Sequence, residues 1–427
     1  VTPVPAAGGD VRPSDPTPSD GDEAAAAARR PAAVAALPGW ASDDHAAAFV
    51  AFRRSAVVMA AAPPVAAAVT GDPAAWQAVA RAALALPAAP DAATARAFFE
   101  DHFVAIDLGG ADAPRSSDPR SSGPPSSDSM SDSGSAGMSD SASDSRTTAA
   151  AGFLTGYFEP ELVGARRRSD AFPVPLLARP DDLVAVDADS RPADLDPGYA
   201  FARRHPDGRL TPYFDRAAIE DGALAGRGLE LVWLADPVDA FFVHVQGSCR
   251  IRLDDGGTLR LAYDGKAGHP YTSIGRLLIE AGVAAPEAMT ADVLARWLRD
   301  HPAEGRALMR RNRSYIFFAV QSDLDPALGA VAGGGVPLTP GRSIAVDRAV
   351  TGYGAPVWLD ADLPLGPNGA ATAWRRLTVA QDTGSAIVGR ARADLFIGCG
   401  AAAGLAAGRI RHRPCRFAVF VPRPNRR

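Results

Sequence analysis

Residues 249–265 read CRIRLDDGGTLRLAYDG, two β-type runs joined by Asp254, Asp255, Gly256 and Gly257. Acidic and glycine residues packed between two such runs specify a tight hairpin turn. Working outward, short runs of the same kind recur: FLTGYFEPELVG, LELVWLA and AFFVHVQG before the hairpin, then SYIFFAV, RSIAVDRAV, APVWLDA, RRLTVAQD and CRFAVFVP after it. Many short strands with few helices predict a mainly β chain with accessory helices and barrel-like domains, not a doubly wound parallel sheet.

The helical segments are fewer. DDHAAAFVAFRRSAVVMAAA, with Ser42 as the expected cap, reads as a helix, and so do AAWQAVARAALAL and DAATARAFFEDHF. TSIGRLLIEAG is expected to start at Thr272 or Ser273 and stop at Gly282, and residues 291–311 read as a helix pair. Residues 1–36, rich in Pro, Ala and Asp, are expected to be a disordered tail, with order beginning near Leu37. Residues 109–148, almost wholly Ser, Asp, Gly and Pro, are expected to form a disordered insertion, because they carry too little apolar surface to offset ordering entropy.

The chain has 427 residues and a net charge of −5, room for two or three domains, and no Lys/Arg-rich run that would mark a nucleic-acid partner. Nothing approaches the roughly 20 apolar residues of a membrane span. The segment VTPVPAAGGD lacks the basic start and apolar stretch of a signal peptide, and no lipid-accepting cysteine lies near it. Cys249, Cys399 and Cys415 are too few and scattered for a disulfide framework or a zinc site, although one pair could bridge. The seven histidines show no metal-ligand spacing. His244, inside an apolar run read as strand, is taken as structural, and His269 is the better site candidate. GCGAAAG (398–404) has the wrong spacing for a dinucleotide loop, so its glycines are expected to serve helix–strand packing.

Two features carry chemistry. LAYDGKAGHPYTSIGR (261–276) holds the only lysine among 44 cationic residues, Lys266. Three aspartates fall at strand ends: Asp347 closes SIAVD, Asp382 closes LTVAQD and Asp394 opens DLFIG. A carboxyl beside an apolar strand has its ionised form disfavoured by desolvation, which suits a general acid. Each of the three could equally be capping a turn.

TGYFEP (155–160), VHVQGS (243–248), YDGKAGHPYTSIGR (263–276), SIAVDR (343–348), QDTGSAIVG (381–389) and ADLFIGCG (393–400) occur in that order. Together they resemble the MltA family of membrane-bound lytic murein transglycosylases, whose C-terminal 3D domain is named for three aspartates. The resemblance implies a double-psi β-barrel domain, built from residues 37–161 and 314–427, with a smaller β-barrel inserted over 162–313 and a groove between them. It implies cleavage of the β-1,4 MurNAc–GlcNAc bond of peptidoglycan to 1,6-anhydro ends, with no metal or cofactor. Asp394 is then the catalytic residue, supported by Asp382 and Asp347. Thr155, Tyr157, Gln246, Ser248, Lys266 and Arg276 become groove-lining positions, with the helix start at Thr272 offering N–H groups to substrate anions. Peptidoglycan glycan strands are the implied partner of a monomer, with cell-wall synthesis or division complexes as further candidates. The implied location is the periplasm or outer membrane.

Ser385 stands where the family usually carries a second glycine, a change expected to preserve the turn. Three alternatives remain open on the residues: a glycan hydrolase using Asp382 with Asp394, a non-catalytic peptidoglycan-binding module, and an interaction scaffold.

Overall fold

The computed structural model describes residues 31–62, 67–70, 72–108, 152–186, 191–193, 195, 199–285, 288–322, 324–412 and 415–424. The expectations for most of the 1–36 tail and for the 109–148 insertion therefore lie outside the described residues. The described chain is mainly β with several helices, as its sequence predicts.

A nine-stranded sheet takes strands from both ends of the chain. Its order is β1 (Ala32–Ala33), β2 (Phe103–Asp107), β18 (Arg416–Pro422), β14 (Pro356–Leu363), β15 (Thr372–Asp382), β13 (Ser343–Val346), β16 (Arg392–Cys399), β3 (Phe153–Glu159) and β17 (Arg411–His412). The β13–β15 and β16–β3 pairs are parallel. A six-stranded sheet runs β12 (Ile316–Gln321), β11 (Thr258–Lys266), β10 (Ser248–Leu253), β4 (Glu161–Ala165), β9 (Glu230–Leu234) and β5 (Val174–Leu177). A small third sheet joins β6 (Leu183–Ala185), β7 (Phe201–Arg204) and β8 (Leu210–Thr211). The opening stretch forms the β10–β11 hairpin: Cys249, Ile251 and Leu253 point into the core, Arg252 is exposed, and Gly256 turns the chain at φ 89°.

Helices α1 (His45–Ala61), α2 (Pro73–Ala85) and α3 (Ala92–His102) belong to the core of the nine-stranded sheet. Each starts on an aspartate, Asp44, Asp72 and Asp91, whose carboxylate accepts a first-turn N–H. Asp44, not Ser42, caps α1, because Trp40–Ser42 is already a turn of 3-10 helix. Order also begins before Leu37: Ala32 and Ala33 pair with β2, and Val34 is fully buried in the main core. That core is aromatic. Phe49, Phe52, Phe98, Phe99 and Phe103 meet mostly edge to face, and each buried ring contributes on the order of 1.5–3 kcal/mol.

Two tethers hold α1 to the strands that matter below. Asp43 forms a buried ion pair with Arg342, just before β13, at 2.8 Å. Gln381 on β15 is fully buried and donates to Ala51 O and Ser55 Oγ of α1. Such buried polar groups fix register because leaving one unpaired costs about 1–3 kcal/mol.

AFFVHVQG is not a strand. It forms most of α4 (Pro237–Gln246), capped by Asp236 and closed by Gly247 in the left-handed region. Asp236-Pro237 starts the helix, and Val238, Phe241 and the half-buried Phe242 face Ile274, Leu278 and Leu298 of α5 (Ile274–Glu280) and α6 (Ala291–Asp300). Helices α7 (Pro302–Arg311) and α8 (Gly400–Gly408) follow, besides a short helical turn over Arg216–Ala218. As GCGAAAG suggests, α8 leaves β16 and packs on β3; a Cβ on Gly404 would lie 2.8 Å from the Phe158 ring.

Candidate active site

Four residues line up in register across four neighbouring strands. Asp382 of β15 pairs with Ala345 of β13 after a bulge, Ala345 pairs with Asp394 of β16, and Asp394 pairs with Thr155 of β3. Adjacent strands lie about 4.8 Å apart, so the backbones of Asp382 and Asp394 are separated by two spacings, roughly 10 Å. Tyr157, two residues along β3 from Thr155, shares its face and reaches back toward Asp382.

The side chains close this row into a network. Thr155 Oγ1 donates to Asp394 Oδ1 at 2.7 Å, and Tyr157 Oη donates to Asp382 Oδ2 at 2.9 Å. Asp382 Oδ1 accepts from Thr383 N at 2.8 Å and Gly333 N at 3.3 Å, so both of its oxygens are engaged. Asp394 Oδ2 has no protein donor among the described residues. Burial pushes the Asp394 carboxyl up from an ordinary 3.8 to about 6, helped by the negative field of Asp382 and opposed by Thr155 and Arg392. Burial raises Asp382 as well, against the pull of its three donors. Tyr157 is held well above the usual phenol range by burial and by Asp382, so it stays a donor.

Asp347 does not join the row. It follows β13, and its carboxylate accepts from Ala349 N at 3.0 Å and Gly389 N at 2.8 Å. It thereby anchors the 383–391 loop that separates Asp382 from Asp394.

The other sheet supplies the remaining expected positions. Gln246, ending α4, accepts from Phe158 N of β3 at 3.1 Å. Ser248 begins β10 opposite Ala262. Lys266 ends β11, and its Nζ donates to Ser385 Oγ at 3.0 Å, with burial lowering its pKa. The single lysine thus touches the loop between the two aspartates, through the residue that departs from the family pattern.

The remaining expected positions make their contacts elsewhere. Arg276 makes only an exposed ion pair with Glu280 on α5 and contacts none of the other site residues in the described structure. The Thr272 N–H is taken by Asn312 Oδ1, and Ser273 caps α5 at Arg276 N, so that helix start is satisfied internally. His269 is buried between Tyr199 Oη at 3.0 Å and Tyr213 O at 2.8 Å, a structural role. His244 is structural too, but in a helix, with Arg216 donating to its Nδ1. All three cysteines are free thiols.

Sequence reasoning passed over Glu159. Its fully buried carboxylate meets Arg250 Nε at 2.9 Å and Arg260 Nε at 3.1 Å, joining β3 to β10 and β11. Cys399 Sγ donates to the same carboxylate at 3.1 Å. A glutamate closing a mostly apolar strand, directly before Pro160, was the available signal. Among the described residues, no group of three or more His, Cys, Asp or Glu could hold a metal ion.

Two family models match consecutive parts of the chain: the MltA specific insert domain over residues 153–319 and the 3D domain over residues 342–418. The solved structure of a membrane-bound lytic murein transglycosylase from Agrobacterium tumefaciens is 33% identical, with a TM-score of 0.74 over 92% of this chain and 97% of that one. The chain belongs to the MltA family. Among curated MltA relatives, that of Vibrio cholerae is 38% identical over 201 residues, 46% of this chain and 53% of the relative. That of Escherichia coli K12 is 34% identical over 264 residues, 61% of this chain and 63% of the relative. The chain thus spans about half to just under two thirds of these curated MltA proteins.

Proposed function

We propose that this chain is a lytic transglycosylase that cleaves the β-1,4 bond between MurNAc and GlcNAc in peptidoglycan, with Asp394 as the single general acid and base. The names of its relatives, lytic murein transglycosylases, supply the substrate class. The observation that carries the mechanism is the asymmetry of the two carboxylates. Asp382 has both oxygens occupied by donors, whereas Asp394 keeps Oδ2 free and is pushed up to about 6.

In this reading protonated Asp394 gives its proton to the glycosidic oxygen, which leaves with GlcNAc as its O4 hydroxyl. The MurNAc C6 hydroxyl attacks C1 of the same sugar, and the Asp394 carboxylate takes the hydroxyl proton. The products are a GlcNAc 4-hydroxyl end and a 1,6-anhydroMurNAc end, and no water is consumed. A hydrolase needs a second carboxylate to activate water or form a covalent intermediate. Here the nucleophile is already tethered near C1, so proximity replaces that group. Asp382 acts from its fixed position, raising Asp394 and offering negative charge to the developing positive charge at C1.

The supporting assignments follow. Thr155 orients Asp394, Tyr157 holds Asp382, Asp347 holds the loop between them, and Gln246, Ser248 and Lys266 form the opposing side. The two larger sheets, one drawn from residues 32–159 and 343–422 and the other from 161–321, support a two-domain division near residue 162, with the second boundary after β12 rather than at 313. No described helix is long and apolar enough to cross a membrane. A peptidoglycan substrate is what supports a working location in the periplasm or at the outer membrane.

Digestion of sacculi with wild type and Asp394→Asn, read by mass spectrometry, tests the reading. Anhydro-ended muropeptides from the wild type alone are expected. Hydrated reducing ends would move the assignment to a hydrolase, and turnover by the variant would remove Asp394 from it.

A further inference from the structure

Gly333, the donor to Asp382 Oδ1, also lines a cavity of about 320 Å³. Val58, Met59 and Ala62 at the end of α1 form an apolar wall, and Arg348 and Tyr353 lie across from it in the loop after β13. Val58 remains 41% exposed, an apolar contact surface that none of the described residues covers. The volume falls within the usual range of about 300–1,000 Å³ for small-ligand sites.

Arg348 is exposed, and none of the described residues offers it a carboxylate. Among the described residues no acidic side chain lines the cavity, and Asp382 adjoins it only behind Gly333. The neighbouring Asp347 carboxylate is committed to two backbone N–H groups. The Arg348 guanidinium carbon sits 4.9 Å from the Tyr353 ring centroid, a cation–π contact that holds the head group at the cavity without using a carboxylate. A planar fork held this way suits bidentate capture of a carboxylate.

We propose that this cavity is a subsite for the peptide stem of the muramyl residue, with Arg348 binding a stem carboxylate and Val58, Met59 and Ala62 receiving the small apolar residue before it. The inference rests on the lytic transglycosylase reading and names the part of the substrate that the aspartates do not handle. The stem leaves the sugar through its lactyl ether, on the MurNAc ring whose glycosidic oxygen Asp394 protonates. The cavity adjoins Asp382, which lies roughly 10 Å along the sheet from Asp394, and three extended residues of about 3.4 Å each cover that span. The same site would make peptide-bearing strands better substrates than bare ones.

The test compares kcat/KM on peptide-bearing glycan with that on strands stripped of peptide by an amidase. In Arg348→Met the ratio of the two should fall about tenfold, through KM, as expected for one charge-assisted contact, with Arg348→Lys in between. A ratio unchanged from wild type overturns the proposal. Calorimetry of a muramyl tripeptide and a peptide-free muramyl disaccharide with Asp394→Asn, with and without Arg348→Met, gives a readout that needs no turnover. Selective loss of tripeptide binding supports the subsite, and equal loss of both ligands, or of neither, overturns it. If the wild type yields no anhydro ends from either glycan, the parent reading fails, while calorimetry still decides the cavity.

Discussion

Thr155 and Asp394 face each other in register across the parallel β3–β16 pair, and the threonine hydroxyl bonds only one of the two carboxyl oxygens. The free oxygen is the one able to meet a substrate. Raising its pKa has consequences that can be measured by rate and by stability.

The rate prediction concerns the protonated form. With Asp394 at about 6, kcat/KM should fall as pH rises through that value, because the acid is lost from the free enzyme. A flat profile from pH 5 to 8 would remove it as the proton donor.

The stability prediction has the opposite flavour. A carboxyl raised from 3.8 to about 6 binds its proton more tightly in the folded than in the unfolded chain. Its contribution is fully present below the unfolded value and is lost as pH rises through the folded one. At pH 8 the folded protein holds an ionised carboxylate in an unfavourable place, a penalty on the order of 3 kcal/mol at most. Asp394→Asn should therefore melt higher than wild type at pH 8 and lose that advantage near pH 4. Equal shifts at both values would contradict the raised pKa.

Tyr157→Phe removes one of the three donors to Asp382. We expect kcat to drop by about tenfold to a hundredfold with KM little changed, and stability to fall by about 1 kcal/mol. A change confined to KM would assign Tyr157 to substrate contact instead.

Glu159→Gln leaves Arg250 and Arg260 buried without their counter-charge. Breaking such a pair from one side costs about 3–5 kcal/mol, which a urea denaturation curve resolves. A loss below 1 kcal/mol would mean that water or another group already shares the charge.

Much of the β content was legible because hairpin chemistry and short apolar runs are local properties. The β10–β11 turn and the α6–α7 pair need no long-range knowledge. AFFVHVQG misled because aromatic and branched residues suit a strand, while Asp236-Pro237, the cap and first residue of a helix, lay just outside the run. The three aspartates were legible as strand-end carboxylates, but their unequal roles were not. Register across four strands decides that Asp382 and Asp394 share a row and that Asp347 anchors a loop, and no local pattern encodes such pairing. Arg276 illustrates the converse: motif membership placed it near the chemistry, yet its only ion pair is local.

Lys266 reaches Ser385 from the end of β11, and it carries the only side-chain amine in a sequence otherwise cationic through arginine. Its lowered pKa leaves more of that amine uncharged than an ordinary lysine would have at a given alkaline pH. The protein therefore comes with a built-in attachment point: besides the α-amine, an acylating dye or mass tag has a single lysine side chain to find, in contact with the loop between Asp382 and Asp394. No engineered cysteine is required, and the label would sit where the arrival of a glycan strand changes its surroundings.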